Sequence, residues 1–444
     1  MRIAPGTSRE ADRCPSGEDG QHAGAEGLPQ DRDPRGLRPD TVSPGVTDGP
    51  TSAGLRPMKI AVVANTTWYV YNFRRNLMLH LQAMGHEVHA LAPRDRYADL
   101  LMQDGMKHHD VVFHGAGTNP LKEMETVRRL RRVFRQQGVD AVLSYTPKGN
   151  IYSAFALTGI DSRLIVNVSG LGRAFASNRF LPHLVQRLYR QAFKRAEWVF
   201  FQNEYDRSVF IEKELIDAGK TSRLPGSGVD LARFSMANTT VERYPGTVFL
   251  FVARLLWDKG IGDYVAAARL VMSRYPDVRF RVLGSVEKPG DGAVPMAALQ
   301  AWINEGVIEY LGSTDDVRPH LAAADCVILP SFYREGVPRS LLEAAAMSRP
   351  VITTDAVGCR DTVEDQVTGF LSRARDSVDL ADKICRFISC PAAEKERMGS
   401  MARKKMERDF DEKIVIHAYS TLLHTRSSQP ARSALMPGVP ESPV

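Results

Sequence analysis

Two basic residues lie close together in a loop of the second half of the chain. Arg254 and Lys259 follow the apolar run 247–253, which reads as a buried strand, and precede a helical pattern that begins at Ile261. The loop would place two cations beside the N-terminal amides of a helix, an arrangement that suits a diphosphate. Taken alone, the pair is also compatible with two solvated loop charges.

Two glutamates belong to a second strand-to-helix junction in the same half. Glu335 follows the apolar run 326–330, and Glu343 falls about one turn inside the helix predicted from Pro338. Their spacing is uninformative, because unrelated glutamate pairs in the chain share it. Their context is informative, because Gly336 lets a ligand approach the backbone and a carboxylate accepts hydrogen bonds from neighbouring hydroxyls. Such a loop suits a molecule with hydroxyls at both ends and phosphates between them, which is the layout of a nucleotide sugar.

The elements that must hold these loops alternate along the chain. From Met58 onward, short apolar strand patterns alternate with helical patterns, and the alternation restarts after a Gly/Pro-rich segment at 223–230. This pattern predicts an α/β protein in which two doubly wound, Rossmann-like domains face a cleft. Ligands of such sheets bind at the carboxyl ends of the strands, where both loops are predicted to lie.

Composition divides the chain further. Residues 1–57 are rich in Gly and Pro and contain no aromatic residue, so we predict a disordered extension there. We predict a first domain at 58–225, a second domain at 226–408, a helix at 409–425 that returns to the first domain, and a disordered tail at 426–444.

Charge and cysteine content limit the possible functions. Among the 444 residues, Lys and Arg exceed Asp and Glu by 58 − 52 = 6, which favours anionic partners without naming them. The five cysteines form no CxxC pair, which indicates a reducing cytosol and no metal site. No segment resembles a signal peptide or the ~18 uninterrupted apolar residues of a spanning helix. The expected location is therefore the cytoplasm.

Together these motifs resemble those of the retaining GT-B glycosyltransferases, the large family that includes sucrose synthase. The resemblance covers residues 58 to about 424 and is carried by Arg254 with Lys259, by the segment 335–343, and by the linker segment 226–230. It implies the GT-B fold and transfer of a hexose-type sugar from a nucleotide sugar, with UDP the expected nucleotide.

The resemblance also implies roles for residues of the second domain. Arg254 and Lys259 would neutralise the donor diphosphate and stabilise the leaving nucleotide. Glu335 would contact hydroxyls of the transferred sugar, and Glu343 would hold the ribose. The remaining donor-binding positions would be Gly312 near the base and Gly336, Val337, Pro338, Arg339 and Ser340 near the sugar and phosphates. No metal and no other cofactor is implied, because the cations and the helix dipole take the place of a metal.

The first domain resembles the bacterial subgroup that extends lipid-linked oligosaccharides for capsule, exopolysaccharide or protein glycosylation. Three stretches, at 68–74, 145–152 and 166–172, carry this resemblance, and each follows a predicted strand. The acceptor-side candidates within them are Tyr69, Asn72, Arg74, Lys148, Asn150, Ser169 and Gly170. The implied acceptor is a saccharide linked to a lipid diphosphate.

The third stretch departs from the family pattern. Many family members carry a histidine there, close to the reacting sugar, but this chain has Asn167, Val168, Ser169 and Gly170. The resemblance therefore gives no histidine base. It implies front-face displacement in which the departing diphosphate takes the acceptor proton, while Ser169 or the Gly170 amide offers hydrogen bonds.

Two basic helices predict contact with an anionic membrane. The segment 181–195 has apolar residues at helical spacing, several cations and no acid, and five arginines lie between Arg128 and Arg135. We therefore expect a peripheral protein at the inner face of the cell membrane. The competing explanation is that the apolar stripe of 181–195 packs against the sheet of its own domain.

Two other classes of function remain at this point. A nucleotide-sugar epimerase would use the same scaffold and convert the donor without an external acceptor. A noncatalytic nucleic-acid-binding protein would explain the basic charge. The chain lacks interleaved aromatic and basic surface motifs, however, and the segment with Glu335 and Glu343 disfavours that class, so we expect no nucleic-acid partner.

Overall fold

The first domain is built around a parallel sheet with the strand order β3-β2-β1-β4-β5-β6-β7. A computed structural model describes residues 56–114, 120–170, 181–239, 244–288, 290 and 292–425. The strands are β1 (Lys59–Val63), β2 (Glu87–Ala92), β3 (Lys107–Asp110), β4 (Ala141–Tyr145), β5 (Arg163–Val168), β6 (Trp198–Phe201) and β7 (Thr221–Arg223). The helices between them are α1 (Thr67–Ala83), α2 (Arg96–Gln103), α3 (Pro120–Gln137), α4 (Pro147–Ala156), α5 (Leu181–Arg195) and α6 (Glu204–Glu212).

The second domain repeats the architecture with the strand order β10-β9-β8-β11-β12-β13. Its strands are β8 (Val248–Val252), β9 (Arg279–Leu283), β10 (Glu309–Tyr310), β11 (Cys326–Leu329), β12 (Val351–Thr354) and β13 (Gly369–Ser372). The helices are α7 (Ile261–Met272), α8 (Met296–Asn304), α9 (Arg318–Ala323), α10 (Arg339–Ala346), α11 (Ser377–Ser389), α12 (Ala392–Asp409) and α13 (Glu412–His424).

The central strands explain why the chain forms two such sheets. Ile60 and Val62 on one face of β1, and Ala61 and Val63 on the other, are all buried, as expected for a parallel strand covered by helices on both faces. The strand order reverses between β1 and β4 and again between β8 and β11. Crevices at these switch points are the usual ligand sites of doubly wound sheets. The predicted α/β class with two doubly wound domains is confirmed.

The last helix covers a face of the first sheet rather than the second. Val415, Tyr419 and Leu422 of α13 belong to the same core cluster as Ile60 and Val62 of β1. The guanidinium of Arg163 donates to the carbonyls of Leu422 and Leu423 at 2.6 Å each. The segment that the sequence assigns to a returning helix therefore lies on the first domain in the structure.

The two segments that cross between the domains pair with each other. The Val229 amide donates to the Phe410 carbonyl at 2.8 Å, and the Glu412 amide donates to the Val229 carbonyl at 3.2 Å. Gly228 has a φ of 70°, and a Cβ atom there would lie 2.4 Å from the Glu412 Cα atom. The crossing thus requires glycine at this position.

The basic segment 181–195 does not turn its apolar stripe to solvent. Leu188, Ala192 and Phe193 pack in the core of the first domain, and Arg195 donates to the carbonyl of Ser162 at 2.6 Å. The prediction that this stripe docks on lipid is therefore wrong, and the competing explanation holds for the described part of the helix. The side chains of residues 181–184 lie outside the description.

The predictions of disorder at 1–57 and 426–444 concern segments that lie, apart from Arg56 and Pro57, outside the described residues. Among the helices that are described, none combines the length and the apolar character needed to cross a bilayer.

Candidate active site

The loop between β8 and α7 places Lys259 against the carboxyl end of β11. A short 3-10 turn, Trp257–Lys259, ends at Gly260, which has a φ of 79°. A Cβ atom at Gly260 would lie 1.9 Å from the Pro330 carbonyl oxygen, so only glycine allows the two loops to approach this closely. The carbonyl of Asp258 accepts the amides of Phe332 and Tyr333 at 3.1 Å each, which ties the loops together.

Lys259 and Glu335 form a direct ion pair between these two loops. The Lys259 ammonium contacts Glu335 Oε1, and the two side chains are only 14% and 12% exposed. Ser331 Oγ donates to the same carboxylate oxygen at 3.1 Å, and the Lys259 ammonium lies 5.1 Å from the centroid of the Tyr333 ring. The structure therefore brings the predicted phosphate cation and the predicted sugar carboxylate to one point.

Arg254 lies at the open side of the same site. Its side chain is 62% exposed, and Nη1 lies 3.8 Å from Glu287 Oε1. Arg254, Lys259, Glu287, Lys288 and Tyr333 all line a cavity of about 280 Å³. Three cations and two carboxylates, Asp258 and Glu287, line this cavity, so its formal charge is positive and suits an anionic ligand such as a phosphate.

Glu343, the predicted ribose carboxylate, lies in α10, one helix turn after Arg339. Arg339 Nε donates to Glu343 Oε1 at 3.0 Å, and each of these side chains is 13% exposed. Burial raises the pKa of Glu343, and the adjacent Arg339 opposes this effect. Arg339 also lies 5.1 Å from the centroid of the Phe73 ring in the first domain and donates to Ser227 Oγ in the linker at 3.3 Å.

The remaining donor-side predictions fall on α10, on the loop before it and on the loop after β10. Val337 and Pro338 connect the Glu335 loop to α10, and the Val337 side chain lies against Gly226 of the linker. Gly312 follows β10 with a φ of 74°, and its carbonyl accepts the Gly284 amide at 2.8 Å. Ser340 occupies the first turn of α10.

Ser169 and Gly170 of the first domain meet the Glu335 loop directly. A Cβ atom at Gly336 would lie 2.6 Å from the Ser169 carbonyl oxygen, and one at Gly170 would lie 2.9 Å from the Gly336 amide nitrogen. The two predicted sites thus touch along the backbone, and glycine is required on both sides of the contact.

Two family models match this chain, one for each half. "Glycosyl transferase 4-like domain" matches residues 72–226, and "Glycosyl transferases group 1" matches residues 246–390, which contains the Lys259 and Glu335 loops. The chain is a glycosyltransferase of the GT-B fold. A Campylobacter jejuni N,N'-diacetylbacillosaminyl-diphospho-undecaprenol alpha-1,3-N-acetylgalactosaminyltransferase is 26% identical to it over 386 residues, covering 82% of this chain and 98% of the relative.

Further comparisons agree with this assignment. An Escherichia coli UDP-Gal:alpha-D-GlcNAc-diphosphoundecaprenol alpha-1,3-galactosyltransferase is 25% identical over 279 residues, which is 60% of this glycosyltransferase and 70% of the relative. The crystal structure of an Anabaena protein in complex with UDP and glucose superposes with a TM-score of 0.66 at 18% identity, covering 83% of this chain and all of that one. At this identity the superposition shows the shared fold.

Two of the acceptor-side candidates of the glycosyltransferase, Arg74 and Asn150, are buried, and the other five are half-buried. Arg74 is 1% exposed, its Nη2 donates to Tyr69 Oη at 2.9 Å, and its guanidinium lies 4.2 Å from the centroid of the Tyr145 ring. Asn72 Nδ2 donates to the Trp68 carbonyl within α1 at 2.9 Å. Tyr69 is half-buried and therefore lies between Arg74 and the outside of the domain.

Lys148 and Asn150 of α4 are engaged within the first domain. Lys148 donates to Glu123 Oε1 of α3 at 2.6 Å. Asn150 is buried and donates from Nδ2 to the Asn167 carbonyl at 2.9 Å. Arg74 and Asn150 are thus buried, and within the described residues Arg74 Nε and Asn150 Oδ1 have no hydrogen-bond partner. Their assignment as acceptor contacts stays a prediction.

Sequence reasoning missed several residues that shape the site. Ser331 and Tyr333 lie beside Glu335 and Lys259, and Glu287 faces Arg254 from the loop after β9. Gly358, which follows β12, packs against the Gly336 carbonyl. The only signal in the sequence is a glycine four residues after the predicted strand 351–354. Across the described residues no group of three or more His, Cys, Asp or Glu side chains is arranged to hold a metal ion.

Proposed function

We propose that this glycosyltransferase moves a hexose-type sugar from a nucleotide sugar, with UDP the expected nucleotide, to a saccharide carried on a lipid diphosphate in bacterial polysaccharide or glycan synthesis. The observation that carries the donor assignment is the cavity that Arg254 and Lys259 line together, with Lys259 paired to Glu335. The acceptor assignment is supported by the two relatives, whose names specify diphospho-undecaprenol acceptors.

The chemistry we propose needs no metal. The bond between the anomeric carbon and the diphosphate oxygen breaks while Arg254 and Lys259 neutralise the charge that develops on the diphosphate. The acceptor oxygen attacks from the same face, so the new bond retains the anomeric configuration. The acceptor proton passes to the departing diphosphate, because the chain has Ser169 and Gly170 where a histidine base would stand.

We further propose that the enzyme works in the cytoplasm as a peripheral protein at the inner face of the membrane, with α3 as its contact. Arg128, Arg132 and Arg135 are exposed on this helix, and Leu121 and Met124 are exposed near its N-terminal end. Exposed cations with adjacent apolar side chains suit an anionic lipid surface.

A thermal-shift panel tests the donor assignment. We expect UDP and one UDP-sugar to raise the melting temperature of the full chain more than GDP-, CDP- and dTDP-sugars do. In Lys259→Ala the shift should disappear, whereas Arg269→Ala, which pairs with Glu305 and is not among the residues that line the cavity, should respond as wild type does. A preference for another nucleotide would overturn the UDP assignment.

The reaction itself is tested with the selected donor. We expect transfer to a synthetic undecaprenyl-diphosphate saccharide, and the product should keep the donor's anomeric configuration by NMR. Conversion of the nucleotide sugar to its epimer without acceptor would instead identify an epimerase.

A further inference from the structure

Asn203 of the first domain contacts the main chain of the Glu335 loop. Its Nδ2 lies 3.3 Å from both the Glu335 and the Gly336 carbonyl oxygens, and its side chain is 1% exposed. The neighbouring Arg334 lies 5.8 Å from the centroid of the Tyr205 ring. The first turn of α6 therefore holds the loop that carries Glu335 from the opposite side of the cleft.

The orientation of the Asn203 amide is fixed by its own helix. Asn203 is the N-cap of α6, and its Oδ1 accepts the Asp206 amide at 2.7 Å. Its Nδ2 also donates to Asp206 Oδ2 at 3.0 Å. With the oxygen committed to the cap, the nitrogen is the atom that must face the two carbonyls.

The backbone around this contact is closely packed, with no room for a side chain at Gly336 or Gly358. A Cβ atom at Gly336 would lie 2.3 Å from Gln202 Oε1, and one at Gly358 would lie 2.3 Å from the Gly336 carbonyl oxygen. The backbone at Gly336 is thus held between Gly170 and Gln202 of the first domain and Gly358 of the second. A rotation of the domains that breaks the Asn203 contact would also separate Gly336 from Gly170 and Gln202.

We propose that Asn203 is a positioning residue that sets the Glu335 carboxylate through the main chain of residues 335 and 336. The sugar end of the donor site is then complete only when the two domains are in contact, whereas the cations Arg254 and Lys259 belong wholly to the second domain. This inference rests on the proposed role of Glu335 at the transferred sugar. The alternative is a purely structural role, in which Asn203 only caps α6.

The variant Asn203→Ser separates the two explanations. Serine also caps helices well, but it is too short to donate to the carbonyls of residues 335 and 336. The matched control is Asp376→Ser, which replaces the N-cap of α11 in the second domain. A second variant, Asn203→Asp, keeps an acceptor for the cap and removes the donor.

Hydrogen exchange on the full chain measures the protection of the Glu335 loop amides without any substrate. In Asn203→Ser and Asn203→Asp, the amides of residues 333–340 should exchange at least about tenfold faster, while those of 207–212 in α6 keep wild-type protection. The Asp376→Ser control should leave residues 333–340 unchanged. Unchanged exchange at 333–340 in both Asn203 variants, or loss of protection confined to α6, would overturn the proposal.

Steady-state kinetics provide a second test, because a residue that only caps α6 should not affect kcat. With the nucleotide sugar chosen by the thermal-shift panel, Asn203→Ser should lower kcat about tenfold or more, because small misplacements of reacting groups are costly, while KM changes less than about twofold. Equal kcat in wild type and variant would contradict the positioning role. Failure of wild type to bind UDP would count against the donor assignment alone, since the exchange result does not depend on it.

Discussion

The donor side and the acceptor side of this glycosyltransferase use their polar residues differently. In the second domain, Arg254 and Lys259 line one cavity, and Lys259 is also paired with Glu335. In the first domain, Arg74 and Asn150 are buried among partners of their own domain. A polar residue just after a strand therefore marks the correct edge of the sheet, but it does not show whether its side chain faces a ligand or the interior.

Removing the donor-side cations should have the largest effect. We expect Arg254→Ala and Lys259→Ala each to lower turnover at least about 100-fold, because contacts that strengthen as the diphosphate departs are worth roughly 3 kcal/mol. The assay is steady-state transfer with a circular-dichroism check of folding, and Arg269→Ala is the control. A well-folded variant with near-normal turnover would remove that residue from the phosphate site.

Substitutions of Glu335 and Glu343 should change different kinetic constants. Glu335→Gln should lower kcat by about tenfold or more, because Glu335 is assigned to the reacting sugar, and Glu343→Gln should mainly raise the KM for the nucleotide sugar. Because Glu343 is paired with Arg339, its substitution should also weaken UDP binding measured by calorimetry. If both variants lose only donor affinity, the division of roles is incorrect.

The membrane contact should respond modestly to single charges. Arg132→Gln on α3 should weaken binding to anionic liposomes about fivefold, since each cation near such a surface contributes on the order of 1 kcal/mol. The control is Arg274→Gln on the second domain, which should bind as wild type does. Cosedimentation at low and high salt measures both, and equal binding of the two variants would exclude α3 as the contact.

The smallest predicted effect is a loss of stability of the first domain at acid pH. Burial lowers the pKa of His109 in β3 to about 4, and the pKa values of His86, His89 and His108 nearby are lowered as well. Unfolded histidine titrates near 6.5, so between pH 6.5 and 4 the unfolded chain binds protons that the folded chain does not. The free energy of unfolding should therefore fall as the pH falls through this window.

The pH effect is measured from urea midpoints at pH 7, 5.5 and 4.5, with hydrogen exchange to assign it to a domain. His109→Asn should show a smaller dependence on pH than wild type. A stability that rises as the pH falls, or exchange that accelerates first in the second domain, would contradict this account.

Much of the donor half could be predicted from sequence because its constraints are local. A strand, a glycine and a helix start fix where Lys259 and Glu335 lie at the carboxyl edge of the sheet. The apolar spacing of 181–195 was misread for the opposite reason. The same stripe suits a lipid surface or a sheet, and only the neighbouring core side chains decide between them.

The contacts between the two domains could not be predicted from the sequence. Asn203 and Glu335 are 132 positions apart, and no local pattern links an N-cap to a carbonyl in another domain. Helices α6, α11 and α12 had no sequence-based prediction either. The 18-residue α12 is polar over most of its length and buries few side chains, so its apolar periodicity is weak.

The position of α13 on the first sheet has a consequence for synthesis of the chain. The sheet's last strand, β7, ends at Arg223, but the side chains that cover one of its faces, such as Val415 and Tyr419, are translated only after the whole second domain. At the usual rates of elongation this delay is roughly 10 to 40 s. During that time α1 already covers part of this face but α13 is missing, so we expect the apolar surface that α13 later covers to be most prone to aggregation while the chain is on the ribosome.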